Sequence, residues 1–104
     1  MGDSTRYHIK AVSTAAAVLT AVANSREPMG SKEIAKTINI DPNAAFRQCA
    51  TLSDLGFLKE EGGKFVLGMG LALFWARKKS HLEGERDKIG AALRTLEMEE
   101  GHGE

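Results

Sequence analysis

The sequence predicts a mainly α-helical fold with one small two-stranded β-hairpin. Two short amphipathic segments lie on either side of a tight turn within residues 31–55. Two four-residue segments rich in β-forming residues then flank a Gly-Gly turn, which is typical of a hairpin. Further helical patterns lie before and after this region. This order is that of a winged helix-turn-helix followed by a C-terminal helix.

The first helix is expected from about Tyr7 to Asn24, and Pro28 lies beyond its end. Its apolar residues recur at spacings of three and four, which predicts an amphipathic helix. The members of the stripe are Ile9, Val12, Ala16, Leu19 and Ala23, widened by Ala15, Val18 and Val22. Because this helix has few charges, we expect it to be central and packed on several sides.

The second helix is expected to begin at Ser31, whose hydroxyl can cap it, and to bury Ile34, Ala35 and Ile38. Asn39 follows and tolerates the left-handed backbone of a sharp turn. The third helix is expected at residues 42–55, with Asp41 as its cap and Pro42 in its first position. Its predicted core stripe is Ala45, Cys49, Leu52 and Leu55.

The hairpin is expected to pair residues 57–60 with residues 64–67 through a turn at residues 61–63. A fourth helix is expected from Leu71 to about Lys79, with Phe74 and Trp75 as packing residues. A last helix is expected at residues 81–99. We therefore divide the chain into a winged helix-turn-helix domain, residues 1–79, and a C-terminal helix with an acidic tail, residues 80–104.

Charge is distributed unevenly along a chain that is neutral overall. Residues 1–79 contain 11 Lys or Arg and 7 Asp or Glu, whereas residues 80–104 contain 3 and 7. A basic body suits a polyanionic partner. The single Cys49 excludes an internal disulfide, no apolar run is long enough to span a membrane, and no secretion signal is evident. We therefore expect a cytoplasmic protein.

Enzymatic chemistry has little support in the sequence. His8, His81 and His102 lie far apart and have no metal-ligand spacing, and Cys49 has no base at a recognisable spacing. Neither a phosphate-binding Gly-rich loop nor a nucleophile elbow is present. We expect no catalytic residue, metal or cofactor.

A set of residues in this region resembles the N-terminal DNA-binding domain of the IclR family of bacterial transcriptional regulators. The resemblance covers about residues 9–75 and rests on Ser31, Glu33-Ile34-Ala35, Ile38, Ile40, Arg47, Thr51-Leu52, Gly56-Phe57-Leu58, Phe65 and Leu67-Gly68. The chain departs from the family at Asn43 and Ala44, where a Ser-Thr pair is usual, and at Pro42, where a basic residue is usual. It also lacks the large effector-sensing domain that follows the wing, so we expect no small-molecule effector.

The resemblance implies that the partner is double-stranded DNA, with the third helix in the major groove. The expected DNA-binding residues are Ser31, Lys32, Asn43, Ala44, Phe46, Arg47 and Lys64. Arg47 can contact guanine or phosphate, but it could also be solvated or paired with Asp54 or Glu33. Phe46 can meet thymine methyls or sugars, but it could also belong to the core or to a protein contact.

The remaining DNA-binding candidates have structural alternatives of their own. Asn43 can hydrogen-bond an adenine edge or a phosphate, or it can cap the third helix. Ser31 and Lys32 lie at a helix N-terminus, a natural phosphate site, although simple capping also explains Ser31. Lys64 can reach the DNA backbone from the wing, but neighbouring glutamates weaken that case.

The C-terminal helix has a narrow apolar seam on a charged surface. Its members, spaced as in a short coiled coil, are Leu82, Ile89, Leu93 and Leu96. We expect a homodimer that reads an inverted repeat, with this seam as the interface. The alternative is a winged-helix module that binds another protein and not DNA.

Overall fold

The computed structural model describes residues 7–102. In chain order these residues form α1 (Lys10–Asn24), α2 (Ser31–Ile38), α3 (Pro42–Asp54), β1 (Leu58–Glu61), β2 (Lys64–Leu67) and α4 (Met69–His102). The fold is a winged helix-turn-helix with a C-terminal helix, as the sequence predicts. By compactness the chain divides into two units between Leu71 and Ala72. The functional division after Lys79 stays a prediction.

The core of the first unit is a small apolar cluster. Every element except α4 contributes to it. Its fully buried members, with at most 5% exposure, are Val18, Val22, Met29, Ile34, Ala35, Ala45, Cys49, Leu52, Leu58 and Phe65. The predicted buried positions of α2 and α3 are confirmed at Ile34, Ala35, Ala45, Cys49 and Leu52. Hydrophobic burial of these side chains holds α2 and α3 against α1 and the hairpin.

The helical stripe of α1 is rotated from the predicted one. Val18 and Val22 enter the core, whereas Ile9 and Val12, expected in the stripe, are 68% and 64% exposed. Ile9 occupies the N-cap position of the helix, which begins at Lys10 and not at Tyr7. Because α1 is apolar on more than one face, periodicity alone could not choose which face meets the core.

The turn between α2 and α3 has the predicted geometry. Asn39 adopts the left-handed conformation with φ of 57°. The Ile40 N–H then donates to the Ala35 carbonyl at 2.9 Å, which closes the end of α2. Asp41 caps α3, since its Oδ2 accepts from the N–H groups of Asn43 at 2.9 Å and Ala44 at 3.2 Å. These contacts fix the direction in which α3 leaves the turn.

Two predicted details of α2 and α3 are wrong. Gly30 is the N-cap of α2, and Ser31 is its first residue and makes no capping hydrogen bond. Leu55, predicted in the core stripe of α3, lies one residue beyond the helix and is 59% exposed. Once the helix has ended, its period no longer sets the direction of the next side chain.

The hairpin is antiparallel, and Leu58 pairs with Leu67 while Glu61 pairs with Lys64. Gly62 and Gly63 both have positive φ, 60° and 80°, which is the conformation that a two-residue turn between strands requires. The loop before α2 joins this hairpin through Met29, whose N–H and carbonyl exchange hydrogen bonds with Phe65 at 3.0 and 2.7 Å. The wing is therefore anchored to the start of α2, which the sequence did not reveal.

Within the described residues, the second unit is the part of α4 from Ala72 to His102. The two helices predicted on either side of residue 80 are one continuous helix, α4. Phe74 and Trp75, expected to pack, are 56% and 64% exposed. No helix within residues 7–102 is long and apolar enough to cross a membrane.

Candidate nucleic-acid interface

The exposed face of α3 carries most of the predicted site residues. Asn43, Phe46 and Arg47 are exposed and Ala44 is half-buried, while Ala45 and Cys49 on the opposite side are buried. Phe46 is 60% exposed, so the alternative that it belongs to the core is wrong. The capped start of α3 therefore exposes amide, guanidinium and aromatic groups, with Arg47 on the side toward α1 and Phe46 on the side toward the hairpin.

Arg47 has no acidic partner in the part of the chain that the structure describes. Among the described residues its guanidinium forms no ion pair with Asp54 or Glu33, the two partners considered above. Arg47 lines one wall of a shallow groove between α1 and α3, of about 640 Å³. On the same side, Gln48 Nε2 donates to the Ala11 carbonyl at 3.2 Å and ties α3 to α1. Within residues 7–102, Arg47 is thus a cation without an acidic partner, on a helix that Gln48 ties to α1.

A second group of cations lies on α2. Lys32 and Lys36 are exposed and share one face, since they are four residues apart. Together with the acidic Glu33, both line a depression of about 660 Å³ that ends at Asn39 and Pro42, where α3 begins. Sequence reasoning missed Lys36, although its spacing from Lys32 could have found it. Ser31 is half-buried at the start of α2, beside Lys32.

The hairpin side of α3 has the opposite charge. Glu60 of β1 and Asp54 of α3 line one depression with Phe46. Lys59 is paired with Glu61 at 3.5 Å, and Lys64 lies directly across the turn from Glu61. The predicted contact residue Lys64 is exposed, but it lies in a wing whose cations are matched by acidic residues.

The expected dimerisation residues all lie in the second unit. Leu82, Ile89, Leu93 and Leu96 are 45–61% exposed on α4. None of residues 7–102 covers this seam fully. Residues 103 and 104 of the acidic tail lie outside the described residues.

Within the described residues, the groups relevant to metal binding or nucleophilic chemistry are the His, Cys, Asp and Glu side chains, with Cys49 the one cysteine. No group of three or more His, Cys, Asp or Glu side chains is placed to hold a metal ion there. Burial raises the pKa of the Cys49 thiol, because a thiolate is poorly solvated in the core. A nucleophilic cysteine needs the opposite shift.

Comparisons with known proteins agree with this geometry. The family model for the IclR helix-turn-helix domain matches residues 11–62. Among solved structures, an IclR family transcriptional regulator from Brucella abortus is 26% identical with a TM-score of 0.63, over 71% of this chain and 30% of that one. A comparison with curated proteins finds no match for the chain.

Two further solved structures share the fold. An IclR transcriptional regulator from Alicyclobacillus acidocaldarius is 24% identical with a TM-score of 0.66, over 69% of this chain and 30% of that one. The repressor BlcR from Agobacterium tumefaciens is 22% identical with a TM-score of 0.59, over 67% of this chain and 28% of that one. The chain thus spans less than a third of the length of these proteins.

Proposed function

Since the chain belongs to the IclR helix-turn-helix family, we propose that it is a transcriptional regulator whose first unit binds double-stranded DNA in a sequence-specific manner. The observation that carries the proposal is the exposed face of α3 at Asn43 and Arg47, since Arg47 forms no ion pair among the described residues and α3 begins at the depression lined by Lys32 and Lys36. A helix held rigidly by its neighbours, with such a face, suits the major groove.

Sequence is read by α3 in this proposal. Arg47 is long enough to donate two hydrogen bonds to a guanine, and Asn43 can pair with an adenine edge. Ala44 is small, so the first turn of α3 can approach the groove closely. Phe46 adds an apolar surface next to these polar groups.

Position on the DNA is set by phosphate contacts from α2. Lys32 and Lys36 face the same depression and supply two cations. Ser31 lies in the first turn of α2, where the N-terminal N–H groups have no side-chain cap and can donate to a phosphate. Lys64 of the wing is the weaker candidate, since its neighbours Glu60 and Glu61 repel phosphates.

Two copies bind together in this proposal. The seam of Leu82, Ile89, Leu93 and Leu96 pairs with its counterpart, and two α3 helices then read an inverted repeat. Their half-sites are separated by about 34 Å, one turn of DNA, or a multiple of it. Such a regulator acts on DNA in the cytoplasm, without enzymatic activity.

One observation supports the alternative function, in which the chain is a module that binds another protein. Phe46 is exposed, and Asp54 and Glu60 line the same depression, so this side of α3 is apolar and acidic. A basic protein surface would suit that side. The cations of Lys32, Lys36 and Arg47 favour DNA.

Fluorescence anisotropy with random-sequence duplexes tests the DNA proposal. Binding should weaken steeply with salt, and the double variant Lys32→Ala/Lys36→Ala should reduce the slope of log K against log salt by about 2, or about 0.9 per contact. Lys88→Ala, on α4, is the control and should leave the slope unchanged. Selection from a random library should then yield one preferred duplex, called the operator below. No binding at low salt would refute the proposal.

A further inference from the structure

A shallow depression separates α3 from the hairpin, on the side of α3 away from α1. It has a volume of about 270 Å³ and is lined by Phe46, Ala50, Ser53, Asp54, Glu60 and Phe65. We call it the Phe46 depression. Phe65 is buried beneath it, while Phe46 and Ala50 remain exposed at its edge on α3. The depression therefore offers an apolar surface on the helix that is proposed to enter the major groove.

Its charges distinguish it from the rest of the interface. Asp54 and Glu60 are exposed, and neither forms an ion pair among the described residues. Like charges repel, so a phosphate is disfavoured at this edge. Lys32 and Lys36, the cations proposed to contact phosphate, lie instead on α2. A nucleic acid that approaches the Phe46 depression must therefore present base edges to it.

One base edge in the major groove is apolar. Thymine carries a methyl group there, and apolar side chains recognise it by direct contact. We propose, on the basis of the proposed function, that the Phe46 depression receives the methyl group of a thymine. Phe46 and Ala50 are then the residues that determine specificity for that base. Cytosine, which lacks the methyl group, leaves the apolar surface unfilled.

Helix geometry limits where this thymine lies. Phe46 and Ala50 are four residues apart, so they are separated by about 6 Å along α3. Arg47 immediately follows Phe46 in the sequence and is exposed on the same helix. The thymine should therefore lie in the same half-site as the base or phosphate that Arg47 contacts.

Removal of single methyl groups from the operator tests the proposal. Each thymine is replaced in turn by deoxyuridine, which differs only in lacking the methyl group, and affinity is measured for the wild type, Phe46→Ala and Phe74→Ala. Phe74 is the matched control, because it is 56% exposed against 60% for Phe46 but lies on α4. Thermal unfolding of each variant reports whether the fold is intact.

The wild type should lose about fourfold in affinity at one or two thymine positions in each half-site, the effect of about 0.8 kcal/mol for one apolar carbon. Phe46→Ala should bind thymine and deoxyuridine operators equally, and Phe74→Ala should behave as the wild type. Specific binding by the wild type that is insensitive to every deoxyuridine overturns the methyl contact alone and leaves the depression to a protein partner. Absence of any specific DNA binding overturns the proposed function, and the methyl contact with it.

Discussion

The seam on α4 makes a quantitative prediction about self-association. Leu82, Ile89, Leu93 and Leu96 retain 45–61% of their side-chain exposure in the single chain. Full burial of such a side chain stabilises by about 1.5–3 kcal/mol, so the half that remains is worth about 0.75–1.5 kcal/mol. Four residues in each of two copies then contribute about 6–12 kcal/mol in total.

Association opposes this gain with about 4–15 kcal/mol of lost translational and rotational freedom. The seam alone therefore supports a dimer no tighter than about 1 µM, which corresponds to a net 8.2 kcal/mol. Leu93→Ala removes its contribution twice in a symmetric dimer, about 1.5–3 kcal/mol. The dissociation constant should rise by about 10- to 150-fold.

Sedimentation velocity over a concentration series measures this constant directly. Leu93→Glu should abolish the dimer, because it places two carboxylates in an apolar contact. Ala91→Glu is the matched control, since Ala91 lies about half a helical turn from the seam and is exposed. A chain that ends at Lys79 should be monomeric, with lower operator affinity. If Leu93→Glu dimerises as strongly as Ala91→Glu, the seam is not the interface, and the exposed face of α1 takes its place.

Three further predictions concern the first unit. Ile34→Ala should destabilise it by about 2–5 kcal/mol in urea unfolding, because Ile34 is fully buried; a loss below 1 kcal/mol would contradict the packing. Gly68→Ala should destabilise by about 1–3 kcal/mol, since the new Cβ would collide with the Gly56 carbonyl. Gly84→Ala, within α4 and with open space around it, is the control and should cause no loss of stability. The Cys49 thiol should react with a thiol reagent only when the protein unfolds. Because burial raises the pKa of this thiol in the folded protein, the contribution of Cys49 to stability should decrease as the pH rises above the ordinary thiol pKa. Equal labelling rates of Cys49 in native protein and in urea would contradict its burial.

The region from Asn39 to Leu52 was the most predictable from sequence. Its signals are local: a left-handed Asn39, the Asp41-Pro42 start of α3, and apolar residues with a helical period. Each signal acts through backbone geometry or capping within a few residues. The start of the candidate site follows from them, because a capped α3 with Ala45 and Cys49 buried must expose Asn43, Phe46 and Arg47.

The features that the sequence did not predict depend mainly on contacts between residues that are distant in the chain. The face of α1 that enters the core could not be chosen, because several of its faces are apolar. The hydrogen bonds between Met29 and Phe65, and the depression shared by Phe46 and Glu60, join residues that are distant in sequence. The continuity of α4 was missed because Ser80 follows a run of cations that is typical of a helix end. No local pattern signals these long-range relations.

Whether α3 reads a DNA sequence is tested most directly by the ratio of operator affinity to random-duplex affinity. Arg47→Ala should weaken operator binding by about 1–3 kcal/mol, the value of a bidentate base contact, and weaken random-duplex binding less. Arg26→Ala, an exposed arginine in the loop before α2, is the control and should leave the ratio unchanged. Both variants should unfold at the wild-type temperature. An operator-to-random ratio that is the same for Arg47→Ala and the wild type would contradict the account.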